Sequence, residues 1–531
     1  MAVRPRTDPG LRESHRGGRA PGGAEVFHPP EPHRGRPGQA VPIPLKERPS
    51  RAMKPRAVRC LGVLVFLLLF FPGAAGAQDE DLWKHPRDLQ FPPLSFRPPK
   101  AGRTVLSNGI VVYLLENHEL PLIRLSALIR AGSIYDPPQK SGLARVTAAA
   151  MRNGGAEGRP PKEIDETLET LAAEVEFSMD LESGSGHLFA RKQDFPKVLP
   201  IFADLLMWPA FDPDRLDLVK KAQIEAVRRQ NDNPEEIAYR EFRRALYRDN
   251  PRGRTPTVES IENIKREDLI VFHRRYYHPT TLFLGVSGDF RQEEMVAALE
   301  KTFGGWTRSL VEIPSIPLPT PPEGRALYLA PKDIPASTVL GGHLSLPLNH
   351  PDSFPFLILN FILGGGGFNS RLTQEIRSNR GLAYSVGSFY SGRVGYGVFG
   401  ALCQTQSSTT HQVISLMDEI IAGMKKTPPG EEDLRWAQNT LVNQFLFSFT
   451  SSAAVVSQQM RLEYDGLPED YLERYQERVA AVTVADLARV AREHLHPDRF
   501  LWVVVGREKD FEKPLSSFGP VRRVELPAPP Q

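Results

Sequence analysis

DLIVFHRRYYHPTTLFLGVSG (268–288) and DLARVAREHLHPDRFLWVVVG (486–506) align without a gap at one constant offset in numbering. Asp268 pairs with Asp486, Leu269 with Leu487, the His278-Pro279 step with His496-Pro497, and Gly288 with Gly506. Each stretch reads as an amphipathic helix, a turn at the His-Pro step and an apolar strand. A match of that length at one fixed offset argues for one fold used twice.

Working back from the first copy, TVLSNGIVVYLLEN (104–117) is a hairpin in which Asn108-Gly109 turns between two alternating runs. IRLSALIRAG (123–132) is a third strand, a helix is expected over Ser141–Arg152, and Gly154-Gly155 stops it. Lys162–Leu171 reads as a helix, Glu174–Phe189 as two strands, and Phe195–Leu206 and Pro213–Gln230 as helices. Strands joined as hairpins rather than through regular βαβ units give an α+β class: two homologous domains, each a mainly antiparallel sheet with helices on one face. SLVEIPSIPLPTPPEGR (309–325) carries five prolines and reads as an extended, poorly packed linker. The expected domains are therefore 78–308 and 326–531.

Residues 1–52 are crowded with Arg, Pro and Gly and have too little apolar periodicity to offset chain entropy. From Met53 the chain takes the form of a secretory signal peptide. Lys54, Arg56 and Arg59 precede the apolar run Leu61–Phe71, and Ala75-Gly76-Ala77 supplies small residues for cleavage. We expect Met53 to be the true start, 1–52 an over-extended frame, and 53–77 a leader directing export, in a bacterium to the periplasm. The apolar run is short for a span, and no other membrane segment is expected in the mature chain.

The 531 residues hold 66 Lys+Arg and 63 Asp+Glu. Residues 1–77 contain 13 of the former and 5 of the latter, which leaves 53 basic against 58 acidic side chains. A mature chain of net charge −5 has no basic excess for a nucleic-acid partner. Two cysteines exclude a disulfide scaffold and a Cys-rich zinc ribbon; Cys403, in a strand-like run, reads as a small packed residue. His273 and His278, and His494 and His496, lack helical metal spacing with a nearby carboxylate and read as structural.

AGSIYDPPQKSGLA (131–144), the PAFDP turn (209–213), DLIVFHRRYYHPTTLFLGVSGDF (268–290) and LGGGGFNSRLTQEIRSNRGLAYSV (363–386) together resemble the insulinase/pitrilysin family. The resemblance covers nearly all of 100–510. It implies two α+β domains forming half of a clamshell that closes around a peptide. Zinc peptidases of that family carry HxxEH on the first-domain helix and a further Glu well downstream. Here GLARVTAAAMRNGG puts Arg145 and Ala149 at the histidine positions and Ala148 at the position of the base. Counted on from Ala149 at the family's spacing, Ala226 falls where the distal Glu is expected. Neither Arg nor Ala ligates zinc. Glu225 lies about 100° around its helix from position 226 and cannot simply substitute. No metal is expected in this chain.

The second unit holds what remains. A helix is expected over Ser353–Leu363, followed by Gly364, Gly365, Gly366 and Gly367 and then Phe368, read as a flexible loop whose bare backbone lets a peptide approach. RSNRGLAY (377–384) carries an Arg and a Tyr seven apart. In active family members such a pair reaches the substrate backbone and the oxyanion, so the resemblance makes Arg377 and Tyr384 the catalytic candidates and Arg380 the confuser. A fixed cation and a phenol are suitable donors where negative charge develops. The combination resembles the non-zinc subunit of heterodimeric members, similar to the alpha-like subunit of the processing peptidase. It implies an HxxEH-bearing partner that carries the zinc, an extended peptide substrate, and no peptidase activity in the chain alone. The alternative is a non-catalytic peptide-binding or scaffold protein of the same fold.

Overall fold

The computed structural model describes residues 96–307 and 312–526. The expected N-terminal extension, the leader and residues 309–311 of the linker lie outside the described residues.

Six strands form the first sheet: β1 (Gly102–Val105), β2 (Val111–Glu116), β3 (Leu122–Ile129), β4 (Glu174–Met179), β5 (Gly184–Arg191) and β6 (Leu282–Gly288), in the order β1-β2-β6-β3-β5-β4. Six more form the second: β7 (Ala326–Pro331), β8 (Ala336–Ser345), β9 (Ala383–Gly392), β10 (Gly397–Gln406), β11 (Leu501–Gly506) and β12 (Val521–Arg523), in the order β12-β7-β11-β8-β10-β9. Five positions repeat pair by pair. β2 runs parallel to β6 as β7 does to β11, and every other pairing among the five is antiparallel in both sheets. Only the sixth strand differs: β1 comes from the N-terminal hairpin and pairs antiparallel, whereas β12 comes from the C-terminal tail and pairs parallel.

The duplicated stretches occupy identical places. Their helices span Arg266–Tyr276 and Val484–His494, with the same offset at both ends. Asp268 and Asp486 explain part of the sequence match: each carboxylate accepts a backbone N–H from the start of its helix, that of Lys265 at 2.8 Å and that of Thr483 at 3.0 Å. Both satisfy an otherwise orphaned donor.

The helices Leu143–Asn153, Phe195–Met207 and Arg266–Tyr276 pack on the inner face of the first sheet, around Leu125, Val146, Phe202, Leu284 and Phe303. The helices Ser353–Asn360, Thr410–Lys426 and Val484–His494 do the same for the second, around Val339, Phe356, Phe399, Met417 and Trp502. Neither sheet leaves its other face bare. The first half sends the helix Pro234–Tyr247 across to the second sheet, where Ile237, Phe242 and Leu246 pack on Leu340, Leu501 and Val503. The second half returns Ser452–Tyr464, whose Val456 and Met460 pack on Tyr113, Leu128 and Phe283 of the first sheet. Each half thus packs its own helices on one face of its sheet, as expected, and lends one helix to the opposite face of the other sheet.

Polar contacts reinforce the exchange. Glu182 accepts from Arg252 Nε at 2.7 Å and from the Tyr396 hydroxyl at 3.2 Å, and its carbonyl accepts from Tyr464 at 2.8 Å. Residues 312–325 form no helix or strand, yet the Pro317 carbonyl accepts from Asn250 at 2.8 Å and Arg252 at 2.9 Å, which pins the segment to the first half.

Candidate functional site

The helix Leu143–Asn153 is started by Asp136, whose carboxylate accepts the backbone N–H groups of Gly142 at 2.7 Å and Ala144 at 2.9 Å. Burial pushes the Asp136 carboxyl up to about 7 against the opposing effect of those two donors. On this helix Arg145 is exposed, Ala148 buried and Ala149 half-buried, while Ala226 is exposed on the helix Pro213–Arg228. These four positions offer no imidazole, thiolate or carboxylate, so they do not fit zinc. Glu225 is held by Arg228 at 2.6 Å.

Other titratable groups have structural partners. His273 is buried, its Nε2 donates to the Leu206 carbonyl at 2.8 Å, and burial pushes its pKa down to about 4. His278 donates to the Arg275 carbonyl at 3.1 Å. His343, likewise pushed down to about 4 by burial, donates from Nδ1 to the Leu344 carbonyl and accepts the His496 backbone N–H on Nε2. Cys403 is buried in β10, where desolvation raises its thiol to about 12, so it is no nucleophile.

One grouping has no signature in the sequence. His350, Asp352 and His494 bring three possible metal-ligand atoms together beside a cleft of about 620 Å³ that Tyr471, Arg478 and Arg489 also line. The Asp352 carboxylate is already taken: Arg489 grips both oxygens at 2.7 and 2.9 Å, and His494 Nε2 bonds it at 2.8 Å. Arg489, with His494 after it, holds Asp352 well below the usual carboxylate range, and a guanidinium on both oxygens opposes a cation there. His350 and His494 lie at opposite ends of the second half in sequence, so no spacing signal pointed to them.

The glycine segment is more ordered than a flexible loop. The helix Ser353–Asn360 runs on into a wide π turn over Phe361–Gly365. Gly364 is buried against β9, where a Cβ would overlap the Ser388 backbone nitrogen, and a Cβ on Gly366 would overlap the Trp436 ring. These two are packing glycines. Gly367 alone of the four is open, with φ +66° and no neighbour for a Cβ, and it turns the chain into Phe368.

Phe368, Arg377 and Tyr384 then meet. Arg377 lies near the end of a second π segment, Thr373–Asn379, and Tyr384 near the start of β9. The Arg377 guanidinium carbon lies 4.8 Å from the Phe368 ring centre and 6.0 Å from that of Tyr384. Phe368 is 65% and Tyr384 69% exposed, far above what large aromatic rings usually show. Among the described residues Arg377 makes no ion pair, whereas Arg380 is held by Glu375 at 2.6 and 2.8 Å. Arg377, the stronger candidate in the sequence, and Arg380 thus differ in their partners. β9 is also the outermost strand of its sheet, with β10 as its single strand partner among the described residues.

A duplicated α+β sheet pair with exchanged helices thus carries a first-domain helix bare of metal ligands and, in the second domain, an exposed Arg/aromatic cluster. Residues 111–257 match the insulinase (peptidase family M16) profile and residues 263–441 that of the peptidase M16 inactive domain. The chain belongs to the insulinase family. Proteins named uncharacterized zinc proteases are similar to it: one from Rickettsia bellii is 25% identical over 59% of this chain and 74% of its own length, and one from Mycobacterium leprae is 26% identical over 74% and 89%. Among solved structures, a peptidase M16 inactive domain from Pseudomonas fluorescens superposes with a TM-score of 0.71 at 24% identity, covering 77% of this chain and 98% of the other. A Helicobacter pylori protease gives 0.69 at 20% over 77% and 99%, and the periplasmic protease PqqL of Escherichia coli gives 0.65 at 15% over 79% and 48%.

Proposed function

We propose that this chain is the zinc-lacking subunit of a two-chain insulinase-family peptidase, exported to the periplasm, that binds an extended peptide and completes the active site of an HxxEH-bearing partner. The observation that carries this reading is Arg377: among the described residues a guanidinium without a carboxylate, braced by Phe368 and placed beside Tyr384 at the start of an outermost strand. A peptide laid along β9 gains main-chain hydrogen bonds from a sheet edge. It would run past Tyr384, with Arg377 supplying charge and a planar donor fork to a developing oxyanion. Leu363 and Gly364 pack beneath β9 and fix the platform, while Gly367 and Phe368 form its exposed rim. The zinc belongs to the partner, in keeping with the donor-free positions 145, 148, 149 and 226 of this chain.

The test is to purify the complex with its partner and measure turnover of a quenched peptide for Arg377→Ala and Tyr384→Phe. Loss of an oxyanion donor lowers turnover by about 10²–10³-fold. Unchanged turnover in both variants would leave a peptide-binding or scaffold role.

A further inference from the structure

Three arginines converge at the start of the helix that carries positions 145, 148 and 149. Arg145 from the helix Leu143–Asn153, Arg243 from the crossing helix Pro234–Tyr247 and Arg254 from the following loop line a small cavity of about 20 Å³ together with Ser133, Asp136 and Ser141. Neighbouring arginines on the same segments are paired: Arg240 with Glu241 at 2.8 Å, Arg244 with Glu241 at 3.2 Å, and Arg252 with Glu182 at 2.7 Å. Among the described residues Arg145, Arg243 and Arg254 form no ion pair. The Arg243 Nε is buried without a hydrogen-bond partner, and the Arg145 charge acts against that of Arg243. Arg254 spends one nitrogen on the Asp136 carbonyl at 2.8 Å. The nearby Asp136 carboxylate is hydrogen-bonded to the backbone donors of Gly142 and Ala144, and the charges of Arg145 and Arg254 act on it without a direct ion pair.

Asp136 and Glu241 act on these arginines only from beyond ion-pair distance, so three clustered positive charges, one of them half-buried with an orphaned donor, are only partly offset and leave room for a further anion. The cavity has room for about one water-sized group, which excludes a bulky tetrahedral anion and admits the oxygen end of a carboxylate. Guanidinium forks match a planar carboxylate through paired N–H donors.

We propose that Arg145, Arg243 and Arg254 form a carboxylate-binding site, and that the carboxylate it takes is the C-terminal one of the bound peptide. The cavity beside Arg145 would then anchor a peptide end. The second clause rests on the peptide-binding reading above; the first does not.

Two arms test them on the full chain, with Arg145→Gln as the variant because Arg145 is exposed and its loss spares the core, and Arg145→Lys to keep the charge without the fork. In the first arm, thermal melting is followed in sodium acetate against sodium chloride of equal ionic strength. Acetate raises the midpoint of the wild type above the chloride value, less for Arg145→Lys and not for Arg145→Gln. Equal midpoints in the two salts, or an acetate effect surviving in Arg145→Gln, overturn the site. In the second arm, a short peptide is titrated as free acid and as C-terminal amide. The acid binds about tenfold more tightly than the amide, and the preference disappears in Arg145→Gln. Equal binding of acid and amide beside an intact acetate effect assigns the site to free carboxylate anions and overturns the peptide source. Binding of neither peptide with the acetate effect intact contradicts the peptide-binding reading while supporting the site.

Discussion

The two halves start their principal inner helix at the same point of the same topology and finish it differently. In the first, Leu143–Asn153 stays α-helical to Gly154 and presents Arg145 above a cationic cavity. In the second, Ser353–Asn360 widens into the π turn Phe361–Gly365 because Gly364 is pressed against β9 and Gly366 against Trp436, and the chain emerges at Phe368 beside Arg377 and Tyr384. Sheet order is common to both copies, and chemistry is not. Duplication fixes the scaffold, while the sites form where segments leave it.

The exchanged helices differ in the same spirit. Eleven buried apolar residues make up the cluster that holds Pro234–Tyr247 on the second sheet, and five make up the one that holds Ser452–Tyr464 on the first. Phe242→Ala should therefore cost about 3–5 kcal/mol and Met460→Ala about 2 kcal/mol in denaturant unfolding. The reverse ranking would break the claim that the two crossings bear unequal loads.

His273 in the first half and His343 in the second are buried neutral histidines whose native pKa of about 4 lies below the unfolded value of about 6.5. The unfolded chain takes up these protons first. The stabilisation is complete above about pH 6.5 and is lost as pH falls toward 4, by on the order of 3 kcal/mol for each histidine. Melting midpoints that stay level from pH 6.5 to 4 would contradict this, and replacing either histidine with Phe should remove part of the slope.

Gly364→Ala pushes a methyl group into the Ser388 backbone and should cost about 1–3 kcal/mol, with Gly367→Ala costing about 1–2 kcal/mol for its positive φ. Circular dichroism melts check both. The smallest effect belongs to Arg380→Ala, which removes an exposed, solvent-screened pair with Glu375 and should leave the melting midpoint and the turnover of the complex unchanged where Arg377→Ala abolishes most of that turnover.

Much of the fold was legible because it is local or periodic. The helix expected over Phe195–Leu206 spans Phe195–Met207, and the two helices of the duplicated ends coincide to the residue. The strand expected over 123–132 stops at Ile129 because Arg130–Gly132 turn toward Ser133. What the sequence withheld is contact across distance. No pattern says that Phe242 leaves its own half, since an amphipathic helix looks the same whichever sheet it covers. The π turn depends on β9 pressing against Gly364 through Ser388, a neighbour brought there by the fold rather than by the chain. Arg377 and Tyr384 were readable as a motif, but Phe368 as their brace and Glu375 as the partner of Arg380 needed coordinates. Arg145, Arg243 and Arg254 sit on three separate segments, so their convergence left no trace in spacing.

Whether this chain is half of a peptidase whose metal lies in another subunit is decided by native mass and zinc content of the complex captured on a tagged chain from its own cells. A companion of similar size and one zinc per pair of chains are expected. A zinc-free homodimer, or the chain alone, would overturn the assignment.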